Sequence, residues 1–135
     1  MGQPAGGEST VNLILYVRDQ AAATAFYRRV LGEPSLDVPG MTEFPLGPGT
    51  VLGLMPEAGI RQLLGDAIPD PAGGAGIPRA ELYLRVDDPG TYHARALQAG
   101  ARELSPLTAR DWGDEAAYSQ DPDGHVLAFA RKLEA

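Results

Sequence analysis

The run Ala80 to Val86, AELYLRV, alternates so that Glu81, Tyr83 and Arg85 share one face of a strand. A carboxylate, a phenol and a guanidinium in one row can do several things. Glu81 could meet a cationic ligand or act as a general base, or it could be spent on an ion pair with Arg85. Arg85 is either the other half of that pair or an anchor for an anionic group. A second run, Thr10 to Val17, TVNLILYV, sets Asn12, Ile14 and Tyr16 together by the same alternation. Trp112 is the sole tryptophan and sits in Trp-Gly-Asp. It reads either as a stacking wall for a flat or cationic ligand, or as a plug on the end of a sheet.

Several chemistries are excluded. With no cysteine there is no disulfide, thiolate nucleophile or thiolate metal site. No GxSxG occurs, and the two histidines, His93 and His125, stand in no triad order with serine. Asp121, Asp123 and Gly124 lack the ligand spacing and closing glutamate of a calcium loop, so they read as turn residues. Gly73 to Gly76, GGAG, lacks the lysine of a phosphate loop. The net charge of −7 argues against a nucleic-acid binder and suits a cationic small molecule or plain solubility. No run approaches the ~20 apolar residues of a membrane span. The N-terminus MGQPAGGEST has no apolar signal core, so a cytoplasmic protein is expected. Ten arginines against the single Lys132 suggest a GC-rich bacterial source.

The elements that must hold these residues follow from pattern. Asp19 caps a helix Gln20–Leu31 closed by Gly32, with Ala22, Phe26 and Val30 as its apolar face, widened by Ala23 and Tyr27. Short strands are expected near Met41–Leu46 and Thr50–Met55, joined at Gly47-Pro48-Gly49. Asp88 caps a second helix with Pro89 at its first position and Gly100 past its end. Tyr92, Ala96 and Leu97 are its core residues. A short strand near Ala101–Leu104 precedes a hairpin in Ala116–Ala130, turning at Asp121-Pro122-Asp123-Gly124.

The pattern repeats. Val17 and Asp19 recur as Val86 and Asp88, 69 residues on in both cases. The expected organisation is a tail at 1–9, a first unit at 10–64, a Gly/Pro linker at 65–79 and a second unit at 80–131. Each unit reads strand, helix, then about three strands.

Two βαβββ units carrying LYVRDQAAATAFYRRVLG (Leu15–Gly32), LRVDDPGTYHARALQAGA (Leu84–Ala101) and WGDEAAYSQDPDGHVLAFA (Trp112–Ala130) resemble the vicinal oxygen chelate superfamily. That group includes glyoxalases, bleomycin-resistance proteins and ring-cleaving dioxygenases. The resemblance implies an α+β fold: two tandem βαβββ units form curved mixed sheets around a cleft, with helices on the outer face. It also implies a homodimer, and one divalent metal held from four strands in the metal-dependent members. Those four positions fall here on Asn12, Gly53, Glu81 and Ala128. Only Glu81 is a good ligand, so no metal cofactor is expected.

With the cleft opposite the helices, Asn12, Ile14, Tyr16, Val51, Gly53 and Met55 line one part. Glu81, Tyr83, Arg85, Val126, Ala128 and Ala130 line the other, with small residues at 53, 128 and 130 leaving volume. His93 and His125 face away. The resulting expectation is metal-independent binding and sequestration of an aromatic, cationic, antibiotic-like compound, with no nucleic-acid or membrane partner. The alternative is a lyase, isomerase or dioxygenase with an atypical metal site, or with Glu81 as base. A third reading is a regulatory subunit whose cleft is filled by its own side chains.

Overall fold

Apolar β-branched sequence and two capped helices produce the same unit twice in the computed structural model, which describes residues 10–134. The expected tail at 1–9 lies outside the described residues. In the first unit β1 (Val11–Val17) leads into α1 (Gln20–Leu31), followed by β2 (Leu36–Val38), β3 (Met41–Gly47) and β4 (Thr50–Pro56). An additional helix, α2 (Glu57–Leu64), follows β4. In the second unit, β5 (Glu81–Arg85) leads into α3 (Pro89–Gln98), then β6 (Arg102–Ala109), β7 (Asp114–Gln120) and β8 (Val126–Lys132). The sheets are ordered β1-β4-β3-β2 and β5-β8-β7-β6, the first pair of each parallel and the rest antiparallel.

The starts of α1 and α3 are fixed by side-chain caps, Asp19 on the Ala22 N–H at 3.0 Å and Asp88 on the Thr91 N–H at 3.2 Å. The buried stripe of α1 is Ala23, Thr24, Phe26, Tyr27 and Val30. Ala22, expected in that stripe, is exposed, because positions 23, 26, 27 and 30 already complete the apolar arc. Thr24 is buried because its hydroxyl meets that of Thr42 at 2.8 Å. On α3 the buried residues are Pro89, His93 and Ala96, while Tyr92 and Leu97 are half-buried. Leu13, expected under α1, is 40% exposed at the open end of its strand.

The sequence signal for α2 is faint: eight residues, Gly59 inside, and Pro56 at the cap with no side-chain bond. Residues 65–79 then carry two 3₁₀ turns, Gly65–Ala67 and Pro71–Gly74. Strand β6 runs past the expected end at Leu104 as far as Ala109, tolerating Pro106 because it is an edge strand with irregular register against β7.

One core joins the units: Leu15, Val17, Phe26, Tyr27, Val30, Leu52 and Leu54 pack in one cluster with Leu82, Ala96, Leu127 and Phe129. Polar links cross the same boundary. The buried Tyr27 hydroxyl donates to Asp121 Oδ2 at 2.6 Å, and the Arg18 N–H donates to Asp123 Oδ1 at 2.9 Å. The expected hairpin turn is therefore also the buckle between the halves.

Candidate functional site

Alternation divides the residues at the inner ends of the first sheet's strands. Leu15, Val17, Leu52, Leu54 and Phe44 are buried toward α1, and their neighbours point to the open face. In register across the first sheet, Ile14 stands opposite Gly53, which stands opposite Glu43. Across the second, Tyr83 stands opposite Ala128, which stands opposite Tyr118. The two units thus place Gly53 and Ala128 at equivalent registers, each flanked by larger side chains.

Those flanking side chains take up the expected volume. A Cβ on Gly53 would lie 3.1 Å from both Ile14 Cγ1 and Met41 Sδ. Ala128 and Ala130 are fully buried, the former between Tyr83 and Tyr118. Asn12 and Tyr16 stay on the open face of the first sheet, with Met55 beside Tyr16 in register.

The most structured chemistry lies on the second sheet. The Tyr83 hydroxyl donates to Asp114 Oδ2 at 2.5 Å, and Arg85 Nε donates to the same oxygen at 3.1 Å. Trp112 Nε1–H donates to the Tyr83 oxygen at 2.9 Å while the residue stays 53% exposed. Trp112 is therefore no plug. The hydrogen bond from Tyr83, with Arg85 beside it, holds the Asp114 carboxyl below the usual carboxylate range. Desolvation and the bond to Asp114 raise the Tyr83 phenol, so Tyr83 acts as a neutral donor.

Arg85 is thus committed to Asp114, with Nη2 at 3.0 Å from Oδ2, and not to Glu81. Glu81 is exposed and makes no hydrogen bond or ion pair among the described residues. Desolvation, and then the negative charge of Glu81, raise the Tyr118 phenol. Arg85 lies 5.4 Å from the centre of the Tyr83 ring, and Arg110 lies 5.1 Å from that of Tyr118. A guanidinium of the chain thus lies over each of these tyrosines, whereas none lies over the indole of Trp112 among the described residues.

Reading the sequence alone missed Asp114, Tyr118, Arg110 and Glu43. Alternation in DEAAYSQ and MTEFPLG would have placed Tyr118 and Glu43 on open faces, because each strand's buried partners are apolar or small. Arg110 belongs to a bulged edge whose register no pattern gives.

The histidines stand apart. His125 is buried, and its Nδ1 lies 3.1 Å from Asp121 Oδ2. His93 is buried under α3 with Nε2 at 2.8 Å from Glu103. Among the described residues no three His, Cys, Asp or Glu side chains gather. The positions that the resemblance gives a metal supply one amide and one carboxylate, with Gly53 and Ala128 offering no donor. Such a set does not fit a transition metal. No hydrogen bond or ion pair joins Asn12, Ile14, Tyr16, Gly53 and Met55 to Glu81, Tyr83, Arg85, Trp112 and Ala128 among the described residues.

Two hollows lie away from the middle of these faces. One of about 140 Å³ lies where the units meet, between Pro45 and Leu46 of β3 and Leu84, Arg85 and Val86 at the end of β5. A larger one of about 540 Å³ lies elsewhere, between the start of α1 and β2, lined by Asp19, Gln20, Thr24, Arg28 and Asp37. Its polar groups are engaged internally: Asp19 caps α1, Gln20 bonds Val38 and Thr42, and Arg28 pairs with Glu33 and Asp37. It therefore has little chemistry left to offer a ligand. No helix among the described residues is long and apolar enough to cross a membrane.

Comparison with known proteins agrees with this architecture. A glyoxalase-related enzyme from Fulvimarina pelagi shares 23% identity at a TM-score of 0.76, over 93% of this chain and 88% of that one. A glyoxalase/bleomycin resistance protein/dioxygenase family enzyme from Burkholderia phytofirmans PsJN shares 19% at a TM-score of 0.77, over 93% of this chain and 100% of that one. TioX from Micromonospora sp. ML1 shares 21% at 0.63, over 93% and 100%. No curated protein matches the chain. These likenesses establish the fold. The family model of the Glyoxalase/Bleomycin resistance protein/Dioxygenase superfamily matches residues 10–129, and the chain belongs to that superfamily.

Proposed function

We propose that this protein is a metal-independent small-molecule binder that sequesters aromatic, cationic compounds. The observation that carries the reading is the Trp112–Tyr83–Asp114–Arg85 network beside the uncommitted Glu81. Hydrogen bonding to Tyr83 fixes the indole while the residue stays exposed, so a flat ligand meets a preorganised surface. Arg85 is neutralised by Asp114, and Glu81 is left to complement a positive charge. The lining is Asn12, Ile14, Tyr16, Gly53 and Met55 on one sheet with Glu81, Tyr83, Arg85, Trp112 and Ala128 on the other.

The working form is a homodimer in which paired units enclose two clefts. Support comes from β1, whose outer edge is unpaired and whose Val11 and Ile14 are 56% and 38% exposed. A second reading rests on the same free carboxylate: Glu81 as general base of a lyase or isomerase.

The test is a titration read by Trp112 emission, using planar cationic, neutral and anionic aromatics of similar size, with bound compound then recovered and weighed. The cationic series should quench or shift the emission saturably and come back chemically unchanged. Equal response to the anionic series would overturn the charge reading, and chemical conversion of the compound would put the Glu81 base first.

A further inference from the structure

The first sheet carries a carboxylate that the reading above does not use. Asn12 Nδ2 donates to Glu43 Oε2 at 3.1 Å. These residues belong to β1 and β3, with β4 between them, and Gly53 of β4 stands in register with Glu43. The amide and the carboxylate reach each other across the middle strand on its open face. Glu43 is half-buried and held by a neutral donor, and no cation pairs with it among the described residues. On the strands this sets it apart: Asp37, Asp114 and Glu115 meet an arginine and Glu103 meets His93, which leaves Glu43 and Glu81 as the strand carboxylates without a cation among the described residues.

Glu43 and Glu81 are thus two open-face carboxylates, one per sheet, that the protein leaves without a cation. Glu43 lies two residues before Pro45, which lines the hollow where β3 approaches Arg85 of β5. A fixed anion with no internal cation is a place for a ligand's positive charge.

We infer that the ligand carries two basic groups, one for Glu43 beside Asn12 and one for Glu81 beside Trp112, with an aromatic body between them. This rests on the proposal that both sheets wall the binding cleft. Asn12 acts as a positioning residue, holding the Glu43 carboxylate across β4.

The experiment compares benzamidine, with one amidinium, against pentamidine, with two joined by a flexible chain. Binding is read by Trp112 emission and checked by thermal shift. In the native protein pentamidine should bind at least about tenfold more tightly, since capture of one head raises the effective concentration of the other. In Glu43→Gln the ratio should collapse to the factor of about two that identical heads give statistically. The amide oxygen introduced by that substitution can still accept from Asn12, so an unchanged melting temperature is the folding control. Asn12→Ala, which frees the carboxylate to swing, should lower the ratio part of the way.

Benzamidine binding without a pentamidine advantage, or an advantage that survives Glu43→Gln, overturns the two-anchor inference and leaves the single-cation reading standing. If neither amidine perturbs the native protein, both fall.

Discussion

Gly124→Ala should lower the melting temperature by on the order of 10 °C, the loss expected for about 3 kcal/mol in a domain of this size. Two independent costs fall on that one methyl group. The residue has φ of 100°, which an L side chain adopts only with strain. A Cβ there would also lie 2.6 Å from the carbonyl carbon of Gly76, within the segment that crosses the β7–β8 turn. That obstacle is backbone, fixed on the turn by the Gly76 N–H bond to the Asp123 carbonyl at 3.1 Å, so no side-chain rotation relieves it. Gly73→Ala is the contrast: nothing lies within 4 Å of its Cβ position and its φ is not in the positive range, so its melt should move little. Scanning calorimetry on both variants checks the pair. Equal melting temperatures would mean that the segment does not press on the turn.

The second large effect is at Asp121. Its Oδ2 accepts from Tyr27 at 2.6 Å and meets His125 Nδ1 at 3.1 Å, while Oδ1 accepts the N–H groups of Asp123 at 3.0 Å and His125 at 2.8 Å. Burial pushes the carboxyl up, but the bonds from His125 and Tyr27 more than offset it, and Asp121 titrates below the usual carboxylate range. The same burial, with Asp121 next to it, drives the Tyr27 phenol far up, so Tyr27 is the donor. An asparagine in its place keeps the shape but points an N–H₂ at groups that need an acceptor. Asp121→Asn should cost about 3 kcal/mol at neutral pH, within the range for breaking a buried charged network.

The sign with pH follows from the direction of the shift. A carboxyl with a depressed folded pKa contributes its full stability above the unfolded value of about 3.9 and loses it as pH falls through the folded value. The gap between native and variant stability should therefore be constant from pH 7 to about 5 and narrow below about 4. Denaturant melts across that range measure it. A gap that stays level to about pH 2 would contradict an ionised Asp121.

Both predictions concern the DPDG turn, where local sequence spoke most clearly. Turn chemistry at Asp121, Pro122 and Gly124 and the caps at Asp19 and Asp88 depend on a few adjacent residues, so they could be read without the fold. The repeat at Val17 and Val86 marked equivalent strands, and the structure sets Gly53 and Ala128 at matching registers. What the sequence concealed was contact across distance. Nothing near Asp121 announces that Tyr27, 94 residues away, supplies its hydrogen bond.

The open faces show the same divide. Alternation placed Glu81, Tyr83 and Arg85 in one row, but not the competition in which Asp114 takes Arg85 and frees Glu81. It also treated small residues as empty volume, whereas Ile14 and Met41 close over Gly53. Helix α2 was illegible because its glycine and missing cap leave tertiary packing to hold it, with Glu57 and Ile60 buried.

The open faces are expected to bind their ligand without a metal. This is tested most directly by melting chelator-treated protein alone and with Zn, Ni, Mn, Co or Fe(II), alongside elemental analysis of untreated protein. A metal held only by the folded chain, at a hundred times its Kd, would add about 2.7 kcal/mol, a shift that a melt resolves readily. No metal should move the transition, and none should co-purify stoichiometrically. A metal that does both would contradict metal-free binding, and would mean that Asn12, Glu43 and Glu81 are assembled into a centre that neither sheet displays by itself.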